Sequence, residues 1–299
     1  GATESAPVPI PIIDDDELEG VETITVTISS VDNGAIIGDG TGTVSIVASD
    51  GGLQIDVGNT ILERDFEGVT GEPIALGLFD DVFGVTPVND ANAEVTGGKL
   101  VVQTAEGDIN DGTNGASEND FFNAVDLSDP ALTEIFLTTK FDNPFDSDFF
   151  TTQGITGDVV PNFAQQGIVF GTGPQLAAEQ VKLVWGGVAD GPGIQLWSKG
   201  NGVLNQATSL EAMAGAGVVA ADVAAIEMSL GINKDGTLSQ YVTLFDALGA
   251  VIGGIRPEAT TGFATVAPAT MPPAVLANLT STTETTKVGV TSNDNSGPA

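Results

Sequence analysis

The sequence predicts an all-β protein built around an antiparallel β-sandwich. Three observations carry this: many short runs that alternate apolar and polar residues, turn residues between them, and almost no long helical periodicity. Of 299 residues, 39 are Gly and 15 Pro, which suits a chain of many turns. At 41% hydrophobic it also has enough apolar material for a core.

The first alternation is Thr23-Ile24-Thr25-Val26-Thr27-Ile28, which puts Ile24, Val26 and Ile28 on one strand face. Before it lie Pro7-Val8-Pro9-Ile10-Pro11 and an acidic run from Asp14 to Glu19. A Gly/Asp-rich connection leads to a second strand over 42–47, which ends at Ser49-Asp50-Gly51-Gly52. Two or three strands bury too little surface to stand alone. Residues 22–48 are therefore expected to pair with sheet outside their own hairpin, in this chain or in a neighbouring copy.

Further strands are expected at 99–103, 134–141, 167–170, 181–185, 194–197, 226–232, 238–245 and 251–255. Asn233-Lys234-Asp235-Gly236 reads as a hairpin turn, since Asp-Gly supplies the positive φ angles of a tight turn. Residues 210–225 are the one helical candidate, Ala- and Gly-rich, expected as a short surface helix. The chain divides into a segment 1–52 and a domain 53–299.

Charge narrows the function. There are 41 Asp+Glu against 8 Lys+Arg, a net charge of −33, with no His and no Cys. So few cations cannot neutralise a phosphate backbone, which excludes nucleic-acid binding. A polybasic lipid anchor fails for the same reason, and no apolar run suffices for membrane insertion. Zinc sites of the usual ligands, thiolate nucleophiles and Ser-His-Asp triads are excluded as well. Carboxylates suit hard cations, above all calcium. The chain opens at Gly1 without a Met or an apolar leader, and reads as part of a longer, processed protein, extracellular or on a cell surface.

Two acidic clusters are the candidate calcium ligands. Asp14, Asp15, Asp16, Glu17, Glu19 and Glu22 place six carboxylates in nine residues, which repel unless solvated or bridged by a cation. Asp108, Asn110, Asp111 and Asp120 belong to an oxygen-rich stretch that shares the chemistry of an EF-hand loop but not its spacing.

Face assignment supplies a second candidate site. In 193–199, Ile194 and Leu196 face the core, leaving Gln195, Trp197 and Lys199 outside. In 226–233 the even positions face inward and Glu227 faces out; in 240–244, Tyr241 faces out with Ser239 and Thr243. Trp185 shares its face with Val181 and Leu183 and belongs to the core. An outward aromatic beside amides and hydroxyls can stack on a sugar and hydrogen-bond it. The bland alternative is an ordinary solvent face. Asn278-Leu279-Thr280 matches a glycosylation sequon, a motif common by chance.

Two resemblances accompany this reading. The order Ile12-Ile13-Asp14-Asp15-Asp16-Glu17-Leu18-Glu19-Gly20-Val21-Glu22-Thr23, then Val26-Thr27-Ile28-Ser29, then Ala35-Ile36-Ile37-Gly38-Asp39-Gly40 and a closing strand, resembles the C-terminal half of a Calx-β domain. That implies a calcium-binding or structural β segment of the kind that recurs in large bacterial surface proteins. Asp65-Phe66-Glu67-Gly68, Gly98-Lys99-Leu100-Val101-Val102, Tyr241–Asp246 and 287–294 make the remainder similar to the concanavalin A-like lectin/glucanase, or laminin G-like, sandwich. That resemblance implies a further strand beyond Gly297-Pro298: either the sequence stops short of it, or other chain completes that edge.

Because that superfamily contains glucanases, Glu63-Arg64-Asp65-Phe66-Glu67 is a candidate carboxylate triad on one strand face. It lies on the domain's opening strand with no Trp beside it, and Phe66 is better placed in the core. No catalytic residues are expected. The leading expectation is a calcium-supported adhesion or carbohydrate-binding module whose partner is a surface or matrix polysaccharide, with self-association by strand addition. The alternatives are a purely structural subunit of a fibre, filament or surface layer and, as a minor one, a glycoside hydrolase.

Overall fold

The computed structural model describes residues 22–27, 41–46, 53–56, 60–64, 66–83, 93–102, 119–145, 165–172, 179–188, 191–199 and 204–293. The chain separates into two compact units, Gly1–Asp50 and Gly51–Ala299. In the first, β1 (Glu22–Thr27) and β2 (Thr41–Ile46) form an antiparallel pair with Ile24 opposite Val44. Among the described residues they pair only with each other.

The second unit is an all-β sandwich. One sheet has seven strands, in the order β13 (Asn205–Ser209), β12 (Gly191–Lys199), β11 (Gln180–Val188), β10 (Gln165–Gly171), β19 (Thr286–Asn293), β8 (Asn119–Val125), β5 (Asp81–Phe83). The other has eight: β17 (Ala264–Thr265), β16 (Val251–Arg256), β15 (Thr237–Phe245), β14 (Ala225–Asn233), β9 (Glu134–Asp142), β3 (Leu53–Asp56) and β4 (Thr60–Arg64), with β18 (Ala269–Thr270) on β15. A small pair, β6 (Ala93–Thr96) and β7 (Lys99–Val102), stands apart.

Strand alternation builds the core. Leu183, Trp185, Ile194 and Leu196 of the seven-stranded sheet share one buried cluster with Leu137, Met228, Leu230, Val242 and Leu244 of the eight-stranded sheet. Both sheets therefore bury their apolar faces against each other and turn their alternate faces away. A smaller cluster gathers Phe66, Phe79, Val95 and Phe121, with the Phe79 and Phe121 rings 5.4 Å apart.

The structure refines the reading of the last strand and of the helices. The last described strand, β19, lies inside its sheet between β10 and β8. The helical candidate is only α1 (Leu210–Ala214) and a 3-10 turn (Ala220–Asp222), because Gly215 and Gly217 take φ of +94° and +91° between them. Nor is α1 a surface ornament, since Leu210 and Met213 are buried, and Ser209 caps it through Ala212 N–H at 3.3 Å. A further helix, α2 (Pro273–Leu279), carries the sequon. Asn278 there is 5% exposed and donates its amide to Glu284 and to the Thr285 carbonyl, so the folded chain does not present it for modification.

Candidate functional site

Trp185 and Trp197 lie on neighbouring strands and face opposite ways. Trp185 is fully buried and donates its indole N–H to Asn143 Oδ1 at 2.8 Å. Trp197, on β12 beyond core-facing Leu196, sits on the outer face and is half-buried. Its direct partners across the sheet are Lys182 on one side and Asn205 on the other.

Around Trp197 runs a chain of amides. Gln165 donates to Gln195 Oε1 at 3.3 Å, and Gln195 donates to Asn205 Oδ1 at 2.9 Å. Each amide carries both donors and acceptors, and none carries charge. Of the expected residues, Gln195 and Trp197 are thus brought together. Lys199 ends the same strand, and its side chain lies outside the described residues. Gln165 and Asn205 were not legible beforehand, because only the sheet order sets them beside Trp197.

Lys182 explains the inner end of this face. It is 2% exposed, and its ammonium lies 3.5 Å from Thr291 Oγ1 and 4.0 Å from Asp120 Oδ2. To get there it crosses β10 to reach β19 and β8. Gly167 and Gly289 bear no side chains on that face. A Cβ at Gly167 would strike the Leu183 carbonyl oxygen, and one at Gly289 that of Phe121.

Asp120 is accordingly no loop ligand for calcium. It stands on β8, fully buried, with a lysine ammonium as its counter-ion. Among the described residues no three acidic side chains group closely enough to hold a metal ion. Asp14, Asp15, Asp16, Glu19, Asp108, Asn110 and Asp111 lie outside the described residues, as does the side chain of Glu22 at the start of β1.

Glu227 and Tyr241 belong to the other sheet and turn away from Trp197. A single platform of Trp197 and Tyr241 is therefore excluded by the topology. Around Glu227 the residues are charged and mutually engaged. It lies opposite Lys140 on β9 and Thr243 on β15, with Arg256 near. Burial pushes the Glu227 carboxyl above its ordinary range, against the pull of Lys140 and Arg256. Arg256 is tied to the Val242 and Ile255 carbonyls, both at 2.7 Å, and stacks 3.9 Å over Phe263. Lys140 lies over the Phe245 ring at 5.2 Å, and Tyr241 packs on Phe136 with ring centres 5.8 Å apart. Burial and the charges of Glu134 and Glu258 raise the Tyr241 hydroxyl, so it stays a neutral donor.

Of the carboxylate string at 63–67, Asp65 and the side chain of Glu63 lie outside the described residues. β4 ends at Arg64, which donates to the Leu78 carbonyl and to Asn123 Oδ1, the latter at 2.6 Å. Glu67 sits exposed in the turn that follows, and Phe66 is buried. Among the described residues no helix is long and apolar enough to cross a membrane. No protein family, curated protein or solved structure matches the chain.

Proposed function

We propose that this chain is an extracellular carbohydrate-binding or adhesion module, without catalytic activity, which holds a neutral polysaccharide on the outer face of its seven-stranded sheet. The observation that supports this most is the half-buried Trp197 set beside the uncharged Gln165-Gln195-Asn205 amides. An aromatic face and amide donors meet the two faces of a sugar, its C–H surface and its hydroxyls. A net charge of −33 opposes anionic ligands over the whole surface.

Calcium enters the proposal through Asp14, Asp15, Asp16, Glu19 and Glu22, and through Asp108, Asn110 and Asp111, as oxygen ligands of a hard cation. Asp120 is withdrawn from that set. The Calx-β-like and concanavalin A-like resemblances support the same reading. A neutral-glycan array, run in calcium and again in chelator, tests it: binding in calcium is expected, and no binding in either condition would overturn it.

One observation favours a structural subunit as the second reading. A two-stranded sheet is marginal in water, and β1 with β2 is paired only with itself among the described residues. Docking of this hairpin on a second copy by strand addition would build a fibre. Sedimentation of the intact chain against one lacking residues 1–50 separates the two readings.

A further inference from the structure

β13 is the edge of the seven-stranded sheet, and β18 belongs to the other sheet through its pairing with β15. Between them lies a groove of about 470 Å³, lined by Leu204, Asn205, Gln206 and the segment 268–273. That volume falls within the roughly 300–1,000 Å³ usual for small-molecule sites. Its base is apolar, with Leu204, Ala269 and Met271 almost fully buried. Its rim carries Pro268, Thr270 and Pro273, all exposed. No lining residue is charged, although the chain carries 49 charged groups in all.

The polar wall is pre-set. Gln206 accepts from Gln240 Nε2 at 2.9 Å and donates to the Ala267 carbonyl at 3.4 Å. Gln240 is 2% exposed, and its Oε1 has no partner among the described residues. Gln240 itself stands behind the wall and does not line the groove, so it holds Gln206 in place. Asn205 lies in the groove and also stands directly opposite Trp197 in the sheet. One strand spacing, about 4.8 Å, therefore separates the aromatic platform from the groove mouth, close to the length of one sugar unit.

We propose that the groove is a second subsite for the same neutral polysaccharide, entered by a chain that runs from Trp197 over Asn205. This rests on the carbohydrate reading above. The occupant follows from the chemistry of the walls. An uncharged groove in a strongly anionic protein suits a neutral ligand, its proline rim offers C–H surface, and its amides meet hydroxyls. The consequence is selectivity for chain length.

Calorimetric titration with cello-, laminari-, xylo- and manno-oligosaccharides of two to six units tests this. For the series that binds, affinity is expected to rise at least tenfold from the shortest to the longest. Thr270→Trp fills the groove from the rim and should reduce the longest oligomer to the affinity of the shortest, leaving the shortest unchanged. Pro273→Trp, also on the rim, serves the same purpose if Thr270→Trp does not fold, with circular dichroism as the check. Trp197→Ala should lose every oligomer. Binding that is equal at all lengths, or length dependence that survives both groove variants, overturns the subsite while sparing the platform, and would leave the β13 edge to an extended peptide. No binding by any oligomer overturns both.

Discussion

Trp185 and Asn143 are locked together inside the sandwich, the indole N–H 2.8 Å from the amide oxygen. The same oxygen accepts from Phe145 N–H, and the Asn143 amide nitrogen donates to the carbonyls of Ala220 and Val223, both at 2.8 Å. One buried side chain thus ties the end of β9 to the 3-10 turn and to the central strand β11. Trp185→Ala is expected to cost about 3–5 kcal/mol, the usual penalty for truncating a buried aromatic. Asn143→Ala should cost a comparable amount, since it strands several buried partners at about 1–3 kcal/mol each. Urea denaturation followed by circular dichroism measures both; a change below 1 kcal/mol in either would contradict the account.

The buried Lys182–Asp120 pair makes a second prediction. Removing one member of such a pair leaves an uncompensated charge in the interior, at about 3–5 kcal/mol. Lys182→Met is therefore expected to destabilise the domain severely despite its apolar replacement. Lys99→Met serves as the contrast. Its 2.6 Å bridge to Asp142 is well over half exposed at both ends, and such bridges contribute about 0–1 kcal/mol. Equal midpoints for the two variants would refute the distinction.

Glu227 sets a pH dependence. Its carboxyl titrates above the ordinary range in the folded state, chiefly through burial, with Lys140 and Arg256 opposing. The folded state thus holds this proton more tightly than the unfolded chain. Its contribution to stability is full below the ordinary carboxylate range and is lost as pH rises through the raised value. Glu227→Gln, which stays neutral, should raise the melting temperature relative to wild type at pH 7 and leave it nearly unchanged at pH 4. Melting curves of the two proteins at both pH values check the sign.

Alternation along single strands made much of the fold legible. It placed Trp185 inward with Val181 and Leu183, and Trp197 outward with Gln195, because each choice depends only on neighbours two residues away. Which outward residues meet is a question of sheet order, and no local pattern answers it. Trp197 and Tyr241 look alike in sequence, yet β12 and β15 belong to different sheets. Asp120 misled for a related reason. It closes an acidic stretch in sequence, but β8 carries it under Lys182, whose charge arrives from a strand more than sixty residues away. The interior place of β19 was equally hidden, since its partners β10 and β8 lie far upstream.

Calcium is expected to stabilise the chain by mass action if the folded state alone binds it. Saturating calcium should raise the melting temperature clearly above that in chelator. Identical melting temperatures would remove calcium from the account without touching the Trp197 platform.

The central claim is that Trp197, and not Tyr241, is the ligand-binding aromatic. The direct measurement compares Trp197→Ala and Tyr241→Ala on one neutral-glycan array, with circular dichroism to show that both fold. The expected result is loss of all binding in Trp197→Ala and full binding in Tyr241→Ala. Retained binding in Trp197→Ala, or its loss in Tyr241→Ala alone, would contradict the account and move the site to the opposite sheet.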